Sequence, residues 1–507
     1  MKYRNSSWLW FGMLCISGGA TSLGQQHNTA PAPGVSRPSS DQSAVGPGRA
    51  GTTYLRATQT VDQRAFASTM AARVQFSTPS GPGPTHIVSP TSDVSNIAQG
   101  DFVGQLGFSV APQTISLNAL KAYTTYRILR QNVARPAAPN ALPSGESPNS
   151  MREAYGVPPG GGTGVIAIVD AFQYPQADAD LQTFSTIFHL PPCRENKSDE
   201  RTGCLQKYPQ NVAGQEVVTG IPINCGWVGE AALDLQWAHA IAPGAKLIFV
   251  QAKSENFNDL FAAVSIAVKA VKAAGGGQIS MSWIGQEYPD EVNDKTFETG
   301  VLYFASSGDT GGELGYPAAS PSVISVGGTG LLRDLTGHLV TEYGWNGSGG
   351  GMSAYEPSPR YQAGVENIQG AHRNVPDLAA DADPKTGAAV YMSTPSDTCV
   401  DRPSPDQYQT GWQVIGGTSL ATPIVAAITN VAGRHRTSVA AELAAIYGNR
   451  KGTMRIRDIS IMSGTAGGNP IRSGYDNVTG VGAPAGVEFD ASPAVGRSDP
   501  ATTHHTQ

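Results

Sequence analysis

Charge is scarce in this chain. Only 15% of its 507 residues are Asp, Glu, Lys or Arg, the formal net charge is −6, and no dense basic cluster occurs. Phosphate backbones are met by concentrated positive faces, so a nucleic-acid partner is not expected. Long apolar runs are absent after the N-terminus, and no later segment is expected to cross a membrane. Cysteine is sparse too, with five residues, and neither candidate pair carries histidines at metal-ligand spacing.

What is abundant is glycine, 60 residues, and proline, 36. Much of both falls outside regular patterning. Residues 1–24 begin with Lys2 and Arg4, continue through WLWFGMLCI and end in small residues, the layout of a secretory signal. A lipid anchor at Cys15 is disfavoured because Met13 and Leu14 precede it. The four remaining cysteines then suit disulfides in a secreted protein, extracellular or periplasmic, free of the membrane once the signal is removed. Cys193 and Cys204 bracket the charged loop RENKSDERTG and pair first, leaving Cys225 with Cys399.

Residues 25–146 read as a prosegment or low-complexity region. The stretch 25–49 is rich in Pro, Ser, Gly and Ala without periodicity. Farther on come candidate strands (HIVSP, FVGQLGFSV), a helical piece near 117–132, and the linker AAPNALPSGESP. The patterning changes at 147 and holds to 490, after which a short polar tail, 491–507, reads as loose. Within 147–490, SPNSMREAYGVP is a short capped helix and GTGVIAIVDAF a glycine turn leading into a strand apolar on both faces. A helix in PQADADLQTFSTIF, another over 230–241, the strand KLIFVQA, a helix over 258–274 and the strands QISMSW and VLYFASSG follow. Strands alternating with helices predict an α/β domain: a mostly parallel central sheet, helices on both faces, and sites at the ends of strands.

Four side chains carry the predicted chemistry. In GGTSLATPIVAAITNVAG, Gly416 and Gly417 permit a tight turn, and Ser419 stands at the mouth of a buried helix whose unpaired amides favour developing negative charge. Read alone, Thr418 or Ser419 is only a helix cap. In GEAALDLQW, Glu230 and Asp234 are four residues apart and so share one helix face. Like charges so placed are relieved by sharing a proton, although a solvated acidic face is the commoner outcome for such a pair. In FASSGDTGGE, Asp309 follows a buried strand; it is either a catalytic group or a turn aspartate. His239, in WAHAI, reads as part of a helix face.

Taken together, GEAALDLQWAHAIAPGAKL, SSGDTGG, SGGGMSAYEPSPRYQ, RNVPDLAADADP and GGTSLATP occur in the order and approximate spacing seen in the sedolisins, the serine-carboxyl peptidases. The resemblance covers roughly 147–490. It implies a subtilisin-like three-layer fold and an acid-acting endopeptidase on protein or peptide substrates, with Ser419 as nucleophile, Glu230 as general base, Asp234 as its partner and Asp309 as a protonated oxyanion donor. Asp170, in the place of a subtilisin's triad aspartate, takes a supporting role, since no histidine here sits in an HGTH-like motif. Ser282, Trp283 and Gly285 resemble the edge strand that pairs with substrate backbone. RIRDISIMSG and IRSGYDNVTGVGAP resemble the family's calcium loop, which implies one structural Ca2+ held by Asp458, Ile459 and Asp476. Arg472 departs from the pattern, standing where the family usually has glycine. The family's propeptide pattern is not traceable through 25–146. Two rivals are a subtilisin-type peptidase working through Asp170, a distant histidine and Ser419, and a secreted binding protein on a peptidase scaffold. A monomer is expected.

Overall fold

The computed structural model describes residues 85–88, 116–131, 142–194, 203–209 and 220–487, the last span without 369, 406, 434–435, 437, 450–453 and 463–468. All of these belong to one compact unit, Val61–Gln507. The signal-like segment, FVGQLGFSV and the polar tail lie outside the described residues.

In chain order the elements are β1 (Thr85–Val88), β2 (Ala122–Thr124), β3 (Arg127–Gln131), α1 (Pro148–Ala154), β4 (Val165–Ala171), α2 (Ala177–Ile187), β5 (Leu205–Pro209), α3 (Cys225–Ile241), β6 (Lys246–Ala252), α4 (Phe257–Ala273), β7 (Gly277–Met281), β8 (Trp283–Gly285) and β9 (Leu302–Ser306). The second half adds β10 (Ile324–Arg333), β11 (Leu339–Gly344), β12 (Gly351–Pro357), β13 (His372–Val375), β14 (Leu378–Asp381), β15 (Ala388–Met392), β16 (Gly411–Gly416), α5 (Thr418–Val431), α6 (Val439–Asn449), β17 (Met454–Arg457) and β18 (Ala483–Val487). The main sheet has eight strands, ordered β11-β10-β9-β7-β4-β6-β5 with β14 also on β10. Every pairing in it is parallel except β10 with the edge strand β11.

The residues explain the layering. Every residue of β4 (VIAIVDA) is buried, as a strand covered on both faces must be. Helix α4 packs on β4, β6 and β7, while α3 and α5 pack on each other and on the opposite face. Every residue of α5 is buried, and its apolar majority suits a helix enclosed by protein. α1 starts at Ser147, whose side chain accepts from the Ser150 amide while Ser150 answers the Ser147 amide. α3 begins earlier than the pattern over 230–241, at Cys225, because the Asn224 side chain caps it. Both expected disulfides are formed, Cys193–Cys204 and Cys225–Cys399.

Two expectations need correction. QISMSW is not one strand: the ladder breaks at Ser282, between β7 and β8. The helical piece expected near 117–132 is instead a turn followed by the two strands β2 and β3. Its AYTTYRIL core is β-branched and aromatic, and partners far along the chain decide its state. β2 lies antiparallel to β8, and β3 lies antiparallel to both β16 and β1.

Candidate active site

Three adjacent parallel strands end at one place. Asp170 stands in the last turn of the pleat of β4, Ser282 directly follows β7, and Asp309 lies three residues past the end of β9. These are neighbours in the sheet, so their carboxyl ends open on a common crevice, as open α/β sheets require. α3 brings Glu230 and Asp234 to it, and the N-terminus of α5 brings Ser419.

Gly417 sets up the turn before α5 with a left-handed φ of +97°. A Cβ there would lie 2.3 Å from the Thr125 carbonyl oxygen and 2.6 Å from Asp309 Oδ2, so only glycine fits. The next residue, Thr418, donates from both its amide (2.8 Å) and its hydroxyl (2.9 Å) to Asp309 Oδ1. That fixes the Asp309 carboxyl against the helix start, with Oδ2 lacking a hydrogen-bond donor and facing Arg127 Nε at 3.8 Å. Burial pushes Asp309 up to about 6, against the lowering effects of Arg127 and of the Thr418 bonds.

Ser419 is wholly buried. Its hydroxyl bonds the Ser282 carbonyl at 3.2 Å and meets the Thr125 hydroxyl at 2.8 Å, while its amide donates to the Thr125 carbonyl at 2.9 Å. Among the described residues no histidine bonds it. His239 is buried elsewhere, with Nε2 2.8 Å from the Pro191 carbonyl, and burial lowers its pKa.

Glu230, Asp234 and Asp170 form a buried acid cluster. Glu230 Oε2 accepts the Thr125 amide at 3.2 Å and Asp234 Oδ1 accepts the Ser282 hydroxyl at 2.8 Å. Glu230 Oε1, Asp234 Oδ2 and both Asp170 oxygens have no donor from the protein. Burial raises all three pKa values: Glu230 is pushed further by Asp234 and Asp170 and held back by the neighbouring Ser419 hydroxyl, Asp234 is pushed further by Asp170, and Asp170 itself reaches about 8. Carboxyls so enclosed hold protons and share them. The arrangement can therefore move a proton from Ser419 and offer donors to an oxyanion without imidazole.

The edge strand expected to hold substrate is occupied. β8 pairs with β2 in the register Ala122↔Gly285, Tyr123↔Ile284 and Thr124↔Trp283. The Trp283 side chain turns inward, its Nε1 donating to the Val169 carbonyl at 2.8 Å. Ser282 faces the acids as described.

The proposed ion ligands converge on another turn. Asp458 Oδ2 accepts the Gly474 amide (2.9 Å) and the Ser473 hydroxyl (3.1 Å). Asp476 accepts the amides of Arg472, Val478 and Thr479, and burial raises it to about 6. Ile459 is buried beside Asp458 in the chain. Arg472 meets Asp476 through its backbone and is itself exposed.

The chain is similar to known proteins over part of its length. A family model described as the subtilase family matches residues 218–467. Kumamolisin from Bacillus sp. (strain MN-32) is 31% identical over 231 residues, 39% of this chain and 38% of that protein. Sedolisin from Pseudomonas sp. (strain 101) is 34% identical over 165 residues, 31% of this chain and 24% of that protein. Over these regions the chain is similar to serine peptidases of the sedolisin and subtilase groups. Its fold is that of the solved Pseudomonas sedolisin, a serine-carboxyl proteinase, with a TM-score of 0.52 at 23% identity over 68% of this chain and 96% of that one. The matched regions span less than two fifths of the curated sedolisin relatives' length.

Sequence reasoning missed the residues that seal the site. Thr125, Tyr126 and Arg127 lie outside every sedolisin-like motif, and the only available signal was the β-branched and aromatic character of their stretch.

Proposed function

We propose that this chain is a secreted, acid-acting serine-carboxyl endopeptidase that hydrolyses proteins or peptides through an acyl-enzyme on Ser419. Glu230 accepts the Ser419 proton, Asp234 partners Glu230, and Asp309 in its protonated form joins the Ser419 amide in binding the oxyanion. One observation carries the reading. A peptide carbonyl oxygen, that of Thr125, accepts the Ser419 amide and lies beside the Asp309 oxygen that has no donor of its own.

The chemistry follows from what surrounds each group. The Ser419 hydroxyl attacks poorly until its proton leaves; it now bonds the Ser282 carbonyl and the Thr125 hydroxyl, and Glu230 is the group that takes the proton. Asp309 can donate only while protonated, which its value of about 6 allows in acid and not at neutral pH. Glu230 must be partly ionised at the same time. Its pKa is raised first by burial, and part of that burial comes from the segment lying across it, so opening the cleft to water favours the ionised form.

Export by the 1–24 signal, synthesis as a zymogen and a structural Ca2+ complete the proposal. The ion would be held by the carboxylates of Asp458 and Asp476 with the Ile459 carbonyl, an all-oxygen set that suits a hard cation. When bound, it supplies positive charge to two acids that otherwise lean on amides of one turn.

The test is hydrolysis of denatured protein across pH by the wild type, Ser419→Ala and Glu230→Gln, with folding checked by circular dichroism. We expect activity confined to acid pH and abolished by either substitution. An optimum at neutral or alkaline pH, or a folded Glu230→Gln enzyme with full activity, overturns the assignment.

A further inference from the structure

The connection between α2 and the edge strand β5 is tied back on itself beside the helix that carries Glu230 and Asp234. Cys193 follows α2, Cys204 directly precedes β5, and the disulfide joining them lies against His239 near the C-terminal end of α3. The two sulfurs and a ring nitrogen of His239 are all within 4.8 Å of one another. Local spacing could not show this, since His239 stands 35 residues after Cys204.

The histidine is prepared as a ligand. Its Nε2 is 2.8 Å from the Pro191 carbonyl oxygen. A carbonyl can only accept, so Nε2 carries the hydrogen and Nδ1 keeps its lone pair. Nδ1 has no hydrogen-bond partner among the described residues, although His239 is wholly buried. An enclosed polar atom left unmet costs stability. An imidazole whose other N–H is held by a backbone carbonyl is also the arrangement that orients metal-binding histidines. The second cluster of this kind among the described residues, Cys225, Cys399 and Asp401, differs, because Asp401 is committed to the amides of Cys225 (2.9 Å) and Gly226 (3.2 Å) at the start of α3.

We infer that Cys193 and Cys204, once reduced, bind a divalent ion of the zinc type together with His239 Nδ1, so that this connection can be tied to α3 by metal in place of its disulfide. Nothing in this needs the peptidase reading. Two thiolates and an imidazole are a donor set that suits zinc, with the fourth position left to water. The Cα atoms of the two cysteines are 4.9 Å apart. Side-chain rotation can part the sulfurs to roughly 3.8 Å, the separation of two thiolates on an ion with bonds of about 2.3 Å. Cys204 is half-buried, so a reductant can reach its sulfur. A small dithiol supplies two electrons and two protons: the Sγ–Sγ bond breaks, each sulfur gains a hydrogen, and the dithiol closes to its own cyclic disulfide. Zn2+ then replaces the two thiol hydrogens, which leave to water as protons.

Full-length protein is reduced with dithiothreitol at about pH 7.5, where thiolates form readily, freed of reductant by gel filtration without oxygen, and titrated with Co2+ and then Zn2+. We expect one equivalent of Co2+ to bind with a sulfur-to-cobalt charge-transfer band that Zn2+ abolishes, in reduced protein and not in oxidised protein. Replacing the other pair, Cys225→Ser with Cys399→Ser, should leave the band in place. His239→Gln, shown to fold by circular dichroism, should bind more than about 100-fold more weakly, since even the groups behind a metal ligand are worth about 10- to 100-fold. Should that variant fail to fold, X-ray absorption of the zinc form of the wild type replaces it, with two sulfurs and an imidazole expected around the ion. No equimolar uptake by reduced protein, a band lost from the folded Cys225→Ser, Cys399→Ser protein, undiminished binding by folded His239→Gln, or a zinc shell without two sulfurs and imidazole overturns the inference.

Discussion

Asp309→Asn separates the donor role of Asp309 from its charge. Asp309 Oδ1 accepts from the Thr418 amide and hydroxyl, and an asparagine oxygen can keep both bonds. The amide nitrogen then falls where Oδ2 is, with a hydrogen that no pH change removes. In the wild type the donor is present only below about 6. At pH 8, two units above that value, about one molecule in a hundred still has it. A preorganised oxyanion donor is worth roughly 3 kcal/mol of barrier, on the order of 100-fold in rate, so both routes give a fall of about 100-fold between pH 5 and pH 8. Asparagine should flatten that fall to under about 10-fold while costing some activity in acid, since a neutral amide is a weaker donor than a carboxylic acid. The assay is kcat on a quenched peptide from pH 3 to 8. An unchanged alkaline limb in Asp309→Asn would refute the role given to this residue.

Stability should move with pH in the direction set by the buried acids. Asp170, Asp309 and Asp476 titrate higher folded than their ordinary 3.8, at about 8, 6 and 6. Each therefore stabilises the fold fully below about 4, and the contribution is lost as pH rises through 6 and then 8. Tm by differential scanning fluorimetry should be highest in acid and fall toward pH 8, and Asp170→Asn, which stays neutral, should fall less; a Tm that climbs from pH 4 to 8 would contradict this. For the ion, adding Ca2+ to chelator-treated protein should raise Tm at pH 6.5, by several degrees for binding worth about 2 to 3 kcal/mol. Asp458→Asn should abolish that rise, and equal Tm with and without Ca2+ would end the calcium proposal.

The sequence determined a good deal because much of this fold is dictated locally. The apolar run VIAIV, flanked by glycine turns and rich in β-branched residues, reads as a strand covered on both faces, Glu230 and Asp234 share a helix face at that spacing, and glycines beside Ser419 leave room for close approach. Ser147 marked one helix start through its own side chain, whereas the Asn224 cap that starts α3 at Cys225 went unread in favour of 230. What only the tertiary structure decided depends on residues far apart in the chain. Asp170, Ser282 and Asp309 meet because β4, β7 and β9 are sheet neighbours, an order no local pattern encodes. Asp170 gains its high pKa from that enclosure, since desolvation belongs to a place and not to a residue type. The stretch at 122–131 is a strand pair and not a helix because β8 and β16, more than 150 residues later, supply the partners that its own neighbours do not.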